Sequence, residues 1–400
     1  MRSQKRRMRR TTFVMALAGI LLGVFAITAV ATTANSARLS RPLGAGRRET
    51  AAALPAAAAR SSANVPRLLP ADAGLVSSFA FNPTDPNVVY VGTIPGTNKG
   101  RVYKSTDGGE HWRLISGRGW TWLGALAADP ERPRTLYAGT GNAVYKTTNG
   151  GRTWRAWKRG LLPPPGINRG EGWVDWLAVD PTNSDVLYEH DYANTIRKSI
   201  DGGNSWKPVL SLWQRGGIKA LKMAPYTPAI YAAFYVSGPK RASKPGIYKT
   251  TTGGKTWKRT PLRDPDYAKA NVAVFAANRG AIYVAVGARV YSSTNAGQSW
   301  QFIGKGLPQH AVVTGLAVDA SGTVYAAFGL DGIYESADGH TWAKGWPHSG
   351  PTPGLGAGML AVDPARQTTV YASAYYPSDR STATHILRST DSGFTWTVVG

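Results

Sequence analysis

An eight-residue segment recurs seven times in this chain and constrains its fold more strongly than any other feature. It begins with Ser or Thr, has Asp, Asn or Thr third and Gly fifth, and ends with Trp. The copies occupy residues 105–112, 147–154, 199–206, 250–257, 293–300, 336–342 (one residue shorter) and 389–396. Their closing Trp residues lie 42 to 54 residues apart. A period of this length indicates a repeat protein, in which each unit buries its apolar face against its neighbours.

The composition of the segment is that of a tight turn, and we call it the octapeptide turn. An Asp or Asn side chain accepts hydrogen bonds from backbone N–H groups a few residues further on, and Gly allows a positive φ without steric cost. The Trp three residues after the Gly begins a new strand and carries a large apolar ring into the core. The structural residues predicted for these turns are Ser105, Asp107, Gly109, Trp112, Asn149, Trp154, Asp201, Trp206, Gly254, Trp257, Asn295, Trp300, Asp338, Trp342, Asp391 and Trp396.

The octapeptide turn resembles the Asp-box, or bacterial neuraminidase, repeat. That repeat is known from sialidases, sortilin-type receptors, two-propeller xyloglucanases and photosystem II assembly factors. The resemblance covers the repeats from residue 71 to residue 400. It implies a β-propeller in which the turn is structural and lies away from the active face.

Between the turns, short runs of alternating apolar and polar residues are bounded by Gly, Pro and Asp, a pattern typical of antiparallel strands. In the first repeat the runs are 75–81, 88–93, 101–105 and 111–115. A Tyr in each second run keeps the register, at Tyr90, Tyr137, Tyr188, Tyr231, Tyr283, Tyr325 and Tyr371. Seven such units predict an all-β, seven-bladed propeller of four-stranded antiparallel blades, with the octapeptide turn between the third and fourth strands. The blades are expected near residues 71–117, 118–160, 172–212, 217–261, 271–305, 312–346 and 356–400.

The N-terminal part of the chain has a different character. Residues 1–10 hold six Lys or Arg and no acid, and an apolar run follows from residue 13 to residue 30. This arrangement predicts a signal peptide or an N-terminal membrane anchor within residues 1–37. Residues 38–70 are rich in Ala, Pro and Arg and lack alternation, so we expect a disordered linker. The propeller is therefore expected outside the cytoplasm, either secreted or anchored.

The amino-acid composition excludes several kinds of functional site. The chain has no Cys, which excludes a disulfide framework, a thiolate metal site and a Cys nucleophile. Its six His lack the spacing of metal ligands and no Gly-rich phosphate loop occurs, so neither a metal nor a cofactor is predicted. The formal net charge of +24 favours an anionic partner, although charge that merely keeps the protein soluble is the alternative. Nucleic acid is an unfavoured partner, because positive charge is the only feature of the sequence that would support its binding. We expect a monomer.

Binding is expected on the face formed by the loops that lead into the first strands and join the second to the third strands, which we call the loop face. Aromatic side chains in these loops offer stacking surfaces for sugar rings, and basic ones favour an anionic partner. Packing between blades is the alternative, above all for Trp122 and Trp176 at the beginning of first strands. The predicted ligand-binding residues are Trp120, Trp122, Trp173, Trp176, Tyr192, Trp213, Lys240, Arg241, His310, Trp346 and Tyr376.

Four acids in the third repeat are the candidates for catalysis. Glu171 and Asp175 flank Trp173, and Glu189 and Asp191 lie in the following connection. Glycoside hydrolysis needs two carboxylates about 5 to 9.5 Å apart, and such a pair could form here. The alternative is that each acid is an ordinary solvated loop residue.

The family resemblances weigh against catalysis. A sialidase would carry a Phe-Arg-Ile-Pro type segment ahead of the first blade and three Arg residues that grip a carboxylate, and no such segment is found. The first repeat is similar to the opening repeat of the xyloglucanase family, in which a catalytic Asp follows the Thr at the end of the second strand. Ile94 follows Thr93 here, and we expect no second propeller to complete the cleft. In blade number and length, the chain resembles a photosystem II assembly factor most.

The sequence therefore predicts an extracytoplasmic binding or scaffold protein that recognises a glycan or protein partner through its aromatic, basic loop face. The alternative is a glycoside hydrolase-like enzyme, xyloglucanase- or sialidase-like, that acts on a polysaccharide. Two carboxylates that converge over the central channel would favour the enzyme.

Overall fold

The computed structural model describes residues 69–400, apart from 71, 96–98, 118–119, 142, 162–172, 192, 213–216, 236–244, 265–272, 279, 347–355 and 376–383. The described residues belong to one compact unit, Pro66–Gly400. The predicted signal or anchor segment and nearly all of the predicted linker lie outside the described residues. Among the residues that are described, no helix has the length and apolar character needed to cross a membrane.

Seven consecutive four-stranded antiparallel sheets form the propeller, as predicted, and each sheet takes its strands from one continuous stretch of chain. The strands of blades 1 to 4 are β1 (Leu75–Phe81), β2 (Val89–Ile94), β3 (Arg101–Ser105), β4 (Arg113–Leu114), β5 (Leu123–Ala128), β6 (Leu136–Thr140), β7 (Val144–Thr147), β8 (Arg155–Trp157), β9 (Val174–Asp180), β10 (Asn183–Asp191), β11 (Thr195–Ser199), β12 (Lys207–Ser211), β13 (Gly217–Met223), β14 (Ile230–Tyr235), β15 (Gly246–Thr250) and β16 (Lys258–Arg259). The strands of blades 5 to 7 are β17 (Ala273–Asn278), β18 (Ala281–Val286), β19 (Arg289–Ser293), β20 (Gln301–Phe302), β21 (Gly315–Val318), β22 (Val324–Ala327), β23 (Ile333–Ser336), β24 (Ala343–Trp346), β25 (Gly356–Val362), β26 (Val370–Tyr375), β27 (Thr384–Ser389) and β28 (Thr397–Val398).

The core lies between blades rather than within them. It divides into seven clusters of buried side chains, and each cluster joins two adjacent blades, including blades 7 and 1. The Tyr of each second strand contributes to these interfaces; Tyr90, Tyr137, Tyr188, Tyr231, Tyr325 and Tyr371 are at most 1% exposed. A four-stranded blade with two apolar faces can bury both of them between its two neighbours in a ring.

The octapeptide turns are closed by the side chains that the sequence singled out. In the first copy, the Ser105 hydroxyl accepts a hydrogen bond from the Gly109 N–H (2.7 Å) and the Asp107 carboxylate accepts one from the His111 N–H (2.9 Å). The corresponding hydroxyl and Gly are bonded in blades 2, 3, 4, 5 and 7. The shorter copy in blade 6 lacks that bond among the described contacts and relies on Asp338, which accepts from the N–H groups of His340 and Thr341.

Several turns also bind the preceding blade. The indole N–H of Trp154 donates to the carbonyl of Ile115 in blade 1 (2.9 Å), and that of Trp342 donates to Ile303 in blade 5 (2.6 Å). The Lys146 ammonium in blade 2 donates to the carbonyl of Gly202 in the turn of blade 3 (2.8 Å). The turns therefore fix both the hairpin and the angle between blades.

The ring closes through side chains, without exchange of a strand among the described residues. Tyr371 and Arg388 of blade 7 both donate to the carbonyl of Gly108 in blade 1, at 3.0 and 2.8 Å. In return, the Trp112 indole of blade 1 donates to the Val399 carbonyl of blade 7 (2.8 Å). The first strands β1 and β25 also pack against each other.

Candidate functional site

Blade 3 departs from the pattern of the other six blades in its second strand. In those blades the three residues after the conserved Tyr are small or apolar: Val-Gly-Thr, Ala-Gly-Thr, Ala-Ala-Phe, Val-Ala-Val, Ala-Ala-Phe and Ala-Ser-Ala. In blade 3 they are Glu189, His190 and Asp191, at the end of β10. Three titratable side chains thus occupy positions that the fold needs only for packing, and all three are buried.

Glu189 and Asp191 share one partner, Arg197 on the neighbouring strand β11. The guanidinium donates to Glu189 over 2.8 Å and to Asp191 over 2.6 Å, and none of the three side chains is more than 5% exposed. In the other blades the residue opposite the Glu189 position is Tyr or, in blade 7, Leu. Arg197 is therefore as unusual among the repeats as the two acids that it binds.

The protonation of this group follows from its burial. Removal from water raises the pKa of Glu189 to about 8, because burial and the nearby Asp191 outweigh the attraction of Arg197. Both acids nevertheless accept hydrogen bonds from the Arg197 guanidinium, so the buried charges of the group compensate one another. A compensated group can stay buried, whereas an unpaired charge could not. Glu189 and Asp191 are therefore not free to act on a substrate in this conformation.

Asp175 occupies the exposed side of the same blade. It is the bulged residue of β9, between Val174 and Trp176, which pair with Asp191 and His190. Its Oδ1 lies 2.6 Å from Nδ1 of His190, and the side chains are 41% and 4% exposed. Burial disfavours the cationic imidazole, but the charge and hydrogen bond of Asp175 prevail, and the pKa of His190 is raised. A bulge re-aims a side chain, and here it turns a carboxylate towards solvent over a buried imidazole.

Trp122 and Trp173 stack on each other at the beginning of β5 and β9, two residues before Asp175 in the case of Trp173. Their ring centroids are 5.3 Å apart with an interplanar angle of 13°, and both rings are partly exposed. Trp122 has a φ of 40°, which is unusual for a bulky residue. The Gly141 N–H donates to the carbonyls of Thr121 and Trp122 at 2.8 and 3.0 Å and so holds this conformation. Residues held in such conformations concentrate at functional sites.

The other predicted ligand-binding residues that the structure describes differ in their exposure to solvent. Trp120 and Trp346 are core residues, 2% and 7% exposed, which corrects their assignment to ligand binding. Trp120 stacks on Tyr145 (4.4 Å) and meets Trp154 edge-on (5.0 Å), so it packs within the interface of blades 1 and 2. Trp176 is partly buried against the core between blades 3 and 4. The remaining described candidate, His310, is 76% exposed and lies 3.1 Å from Asp331.

Several candidates lie outside the described residues: Glu171, Tyr192, Trp213, Lys240, Arg241 and Tyr376. Of the four predicted acids, the structure therefore places three, and only Asp175 of these is exposed. In the described part of the chain, no group of three His, Cys, Asp or Glu side chains is placed to hold a metal ion.

Sequence reasoning missed Arg197 and the role of His190. Both could have been found by aligning the seven repeats and asking which blade breaks the pattern of small residues in its second strand. The loop-based search found Asp175, Trp122 and Trp173, which the structure brings to one end of β5 and β9.

Comparison with known proteins gives distant relatives. No protein-family model matches the chain. A xyloglucanase of Hypocrea jecorina (strain QM6a) is 26% identical over 379 residues, which cover 87% of this chain and 41% of the relative. Xyloglucanase Xgh74A of Acetivibrio thermocellus is 26% identical over 348 residues, with 80% and 32% covered. The chain thus spans less than half the length of these curated relatives.

Solved structures show the same fold. YCF48 bound to D1 peptide aligns with a TM-score of 0.58 at 13% identity, and the match covers 82% of this chain and 97% of that one. An ancestral GH74 enzyme aligns with a TM-score of 0.60 at 18% identity and covers 84% and 48%. This chain is therefore a seven-bladed β-propeller similar in fold to YCF48 and to GH74 enzymes.

Proposed function

We propose that the protein is an extracytoplasmic binding protein that holds a polysaccharide chain on its loop face, at blades 2 and 3. The observation that carries this proposal is the stacked pair Trp122 and Trp173 at the beginning of β5 and β9, with the exposed carboxylate of Asp175 two residues after Trp173 in the chain. An aromatic surface contacts the apolar face of a sugar ring, and a few fixed polar groups set its orientation. The site offers both within two adjacent blades.

Asp175 supplies the directional part of recognition. A carboxylate accepts hydrogen bonds from two sugar hydroxyls, and His190 holds it in one orientation from below. The buried set of Glu189, Asp191 and Arg197 fixes the end of β10, where His190 is attached. Recognition of a chain by preformed side chains costs less ordering entropy than recognition by mobile ones.

The relatives support a saccharide before a peptide. The curated relatives are named xyloglucanases and match over more than three quarters of this chain, whereas the YCF48 structure with a bound peptide shares 13% identity. Xyloglucan oligosaccharides are therefore the first ligands to test, and a peptide is the competing partner.

The test is calorimetric titration with xyloglucan oligosaccharides and a panel of neutral and acidic glycans. We expect Trp122→Ala and Trp173→Ala each to weaken binding about tenfold or more, equivalent to ~1.4 kcal/mol. Trp157→Ala is the matched control, because Trp157 is a partly exposed Trp on the outer strand β8. Unchanged affinity in both loop variants, with melting temperatures near that of the unmodified chain, would exclude this site.

Hydrolysis is the second candidate function, and the exposure of Asp175 together with the xyloglucanase relatives favours it. Glu189 and Asp191 are committed to Arg197, so a second catalytic carboxylate would have to come from elsewhere on the loop face. We expect binding without release of reducing ends. New reducing ends that disappear in Asp175→Asn would instead establish an enzyme.

A further inference from the structure

The excess of positive over negative charge in the propeller lies in blades 1 to 4. Residues 71–262, which contain blades 1 to 4, carry 26 Lys and Arg against 13 Asp and Glu. Residues 263–400, which contain blades 5 to 7, carry nine of each. A uniform need for solubility does not explain this division, because all seven blades face solvent equally.

The register of the outer strands shows how part of this charge is arranged. In each of blades 1 to 4, a Lys on the third strand faces a cation on the fourth strand directly across the ladder, next to the octapeptide turn. We call these four pairs the cation stripe: Lys104 with Arg113, Lys146 with Arg155, Lys198 with Lys207, and Lys249 with Lys258. The equivalent pairs in blades 5 to 7 are Ser292 with Gln301, Glu335 with Ala343, and Arg388 with Thr397.

The inner member of each pair has a structural role. The four Lys ammonium groups lie 5.2 to 5.4 Å from the ring centroid of the conserved Tyr of their own blade. The outer member is exposed in all four blades, and in blade 2 it also lies over an aromatic ring, with Arg155 4.4 Å from the ring centroid of Trp157. Like charges directly opposite each other destabilise a sheet, so the outer cations work against the fold.

Protection of an exposed sheet edge does not account for them either. Charged side chains on an edge strand prevent pairing with other chains. The outer strands β20 and β28, however, consist of Gln301-Phe302 and Thr397-Val398 and carry no charge at all. The repeat therefore tolerates an uncharged outer strand, and the cations of blades 1 to 4 serve another purpose.

The junction of blades 1 and 2 is the most cationic part of the stripe. Lys104 lies near Arg113, Arg134 and Arg152, and Asp85 is the acid that acts on it. Burial and these three Arg side chains lower the pKa of Lys104. Cations held close together repel one another, and an anion that joins them relieves this repulsion.

We propose that the cation stripe binds an acidic polysaccharide, laid along the outer rim of blades 1 to 4 beside the octapeptide turns. A chain with one carboxylate or sulfate in every sugar or two can meet the pairs in succession. A flat anionic bilayer fits less well, because contact with that end of the ring would bring all the turn acids Asp107, Asp201, Asp338 and Asp391 against it, whereas a flexible chain can follow the paired cations. Single-stranded nucleic acid is bound chiefly through stacking platforms, and the eight paired positions hold only cations.

The test uses the full chain, so that its basic N-terminal residues are the same in every variant. The stripe variant is Arg113→Gln, Arg155→Gln, Lys207→Gln and Lys258→Gln, which copies the Gln301 of blade 5. The control variant removes four exposed cations elsewhere: Lys99→Gln, Arg263→Gln, Lys305→Gln and Lys344→Gln. The two variants have the same net charge.

The probe is polygalacturonate, with its fully methyl-esterified form as the uncharged counterpart. We expect the unmodified chain to bind only the acidic form, with an affinity that falls as salt rises. The stripe variant should bind about tenfold or more weakly, while the control variant stays within about twofold. Retained melting temperature in the stripe variant shows that folding is intact, and relief of like-charge contacts should raise it slightly at low salt.

Three results would overturn the proposal. The first is equal loss of binding in the stripe and control variants, which would mean that net charge alone acts. The second is equal binding of the esterified polymer. The third is a stripe effect seen only with vesicles of phosphatidylglycerol and phosphatidylcholine, or only with oligodeoxythymidine, which would assign the rim to a membrane or to nucleic acid. The cation stripe shares no residue with the loop-face site, so the loss expected in the stripe variant, with the control variant unchanged, does not depend on that site.

Discussion

Glu335 is an acid at a third-strand position where four other blades have Lys, and we expect it to affect how the stability of the protein depends on pH. Glu335 stands on β23 where blades 1 to 4 have Lys, and it is 9% exposed. Its Oε2 is buried and has no hydrogen-bond partner among the described residues. Burial and then the charge of Asp391 raise the pKa of Glu335 to about 7. The junction of blades 6 and 7 therefore holds an acid whose surroundings favour the protonated form.

We expect Glu335 to make the protein less stable as pH rises from about 5 to 8. Its ordinary pKa in an unfolded chain is about 4.3, so between the two values the folded state binds more protons, and the free energy of unfolding falls with pH. Glu335→Gln should make this slope shallower and raise stability at pH 8. Urea unfolding at both pH values measures it, with the exposed Glu131→Gln as the control. An unchanged slope in Glu335→Gln would show that the carboxyl is ionised in the fold.

At the scale of the element, the second strand of blade 3 carries a buried ionic group in place of packing. Glu189, Asp191 and Arg197 satisfy one another, but a buried ion pair gives little net stability over apolar residues of similar size. Blade 2 shows the apolar solution at the same positions, with Ala138, Thr140 and Tyr145. The ionic version therefore has a purpose other than folding, and holding His190 under Asp175 is the one that the structure offers.

Removing one member of this group should be far more harmful than replacing all of it. Arg197→Met leaves two acids buried without a cation, and we expect it to cost about 3 to 5 kcal/mol of unfolding free energy. The triple variant Glu189→Ala, Asp191→Thr and Arg197→Tyr copies blade 2 and should recover most of that loss. Chemical denaturation measures the free energy of unfolding of both variants. If Arg197→Met were as stable as the triple variant, the expected cost of leaving the two acids without a cation would be contradicted. If the group positions Asp175, the triple variant should still bind glycan less tightly than the unmodified chain.

At the scale of the whole molecule, closure of the ring depends on the junction between blades 7 and 1. The other six junctions are also joined by the chain itself, whereas this one is held by Arg388, Tyr371, Trp112 and the core around them. Any motion that opens the ring should therefore begin here.

We expect Arg388→Ala to destabilise the protein by about 1 to 2 kcal/mol, because it removes a charge-assisted hydrogen bond to the Gly108 carbonyl. Lys146→Ala removes the equivalent bond between blades 2 and 3 and is the matched control. The effect of Arg388→Ala should be larger, since no chain connection limits the opening of its junction. Thermal unfolding of the two variants provides the comparison, and equal losses would mean that the ring does not open preferentially between blades 7 and 1.

Sequence reasoning reached the fold in detail, because the octapeptide turns and the conserved Tyr residues are local signals. The first repeat was predicted to have strands at 75–81 and 101–105, and β1 and β3 have these bounds. The residues of the candidate site were predicted from the sequence only in part. Trp120 is core because Tyr145 and Trp154 enclose it, and Glu189 is buried because Arg197 arrives from another strand. Such pairings depend on register and on neighbouring blades, and no single loop reveals them.

The uneven distribution of charge around the ring has a further consequence. A propeller with 13 surplus positive charges in residues 71–262 and none in residues 263–400 possesses an electric polarity across the disc. Near any negatively charged surface, long-range forces would rotate such a disc until blades 1 to 4 lead. The molecule would thus arrive edge-on, with its loop face turned sideways and open to a second partner from the first moment of contact.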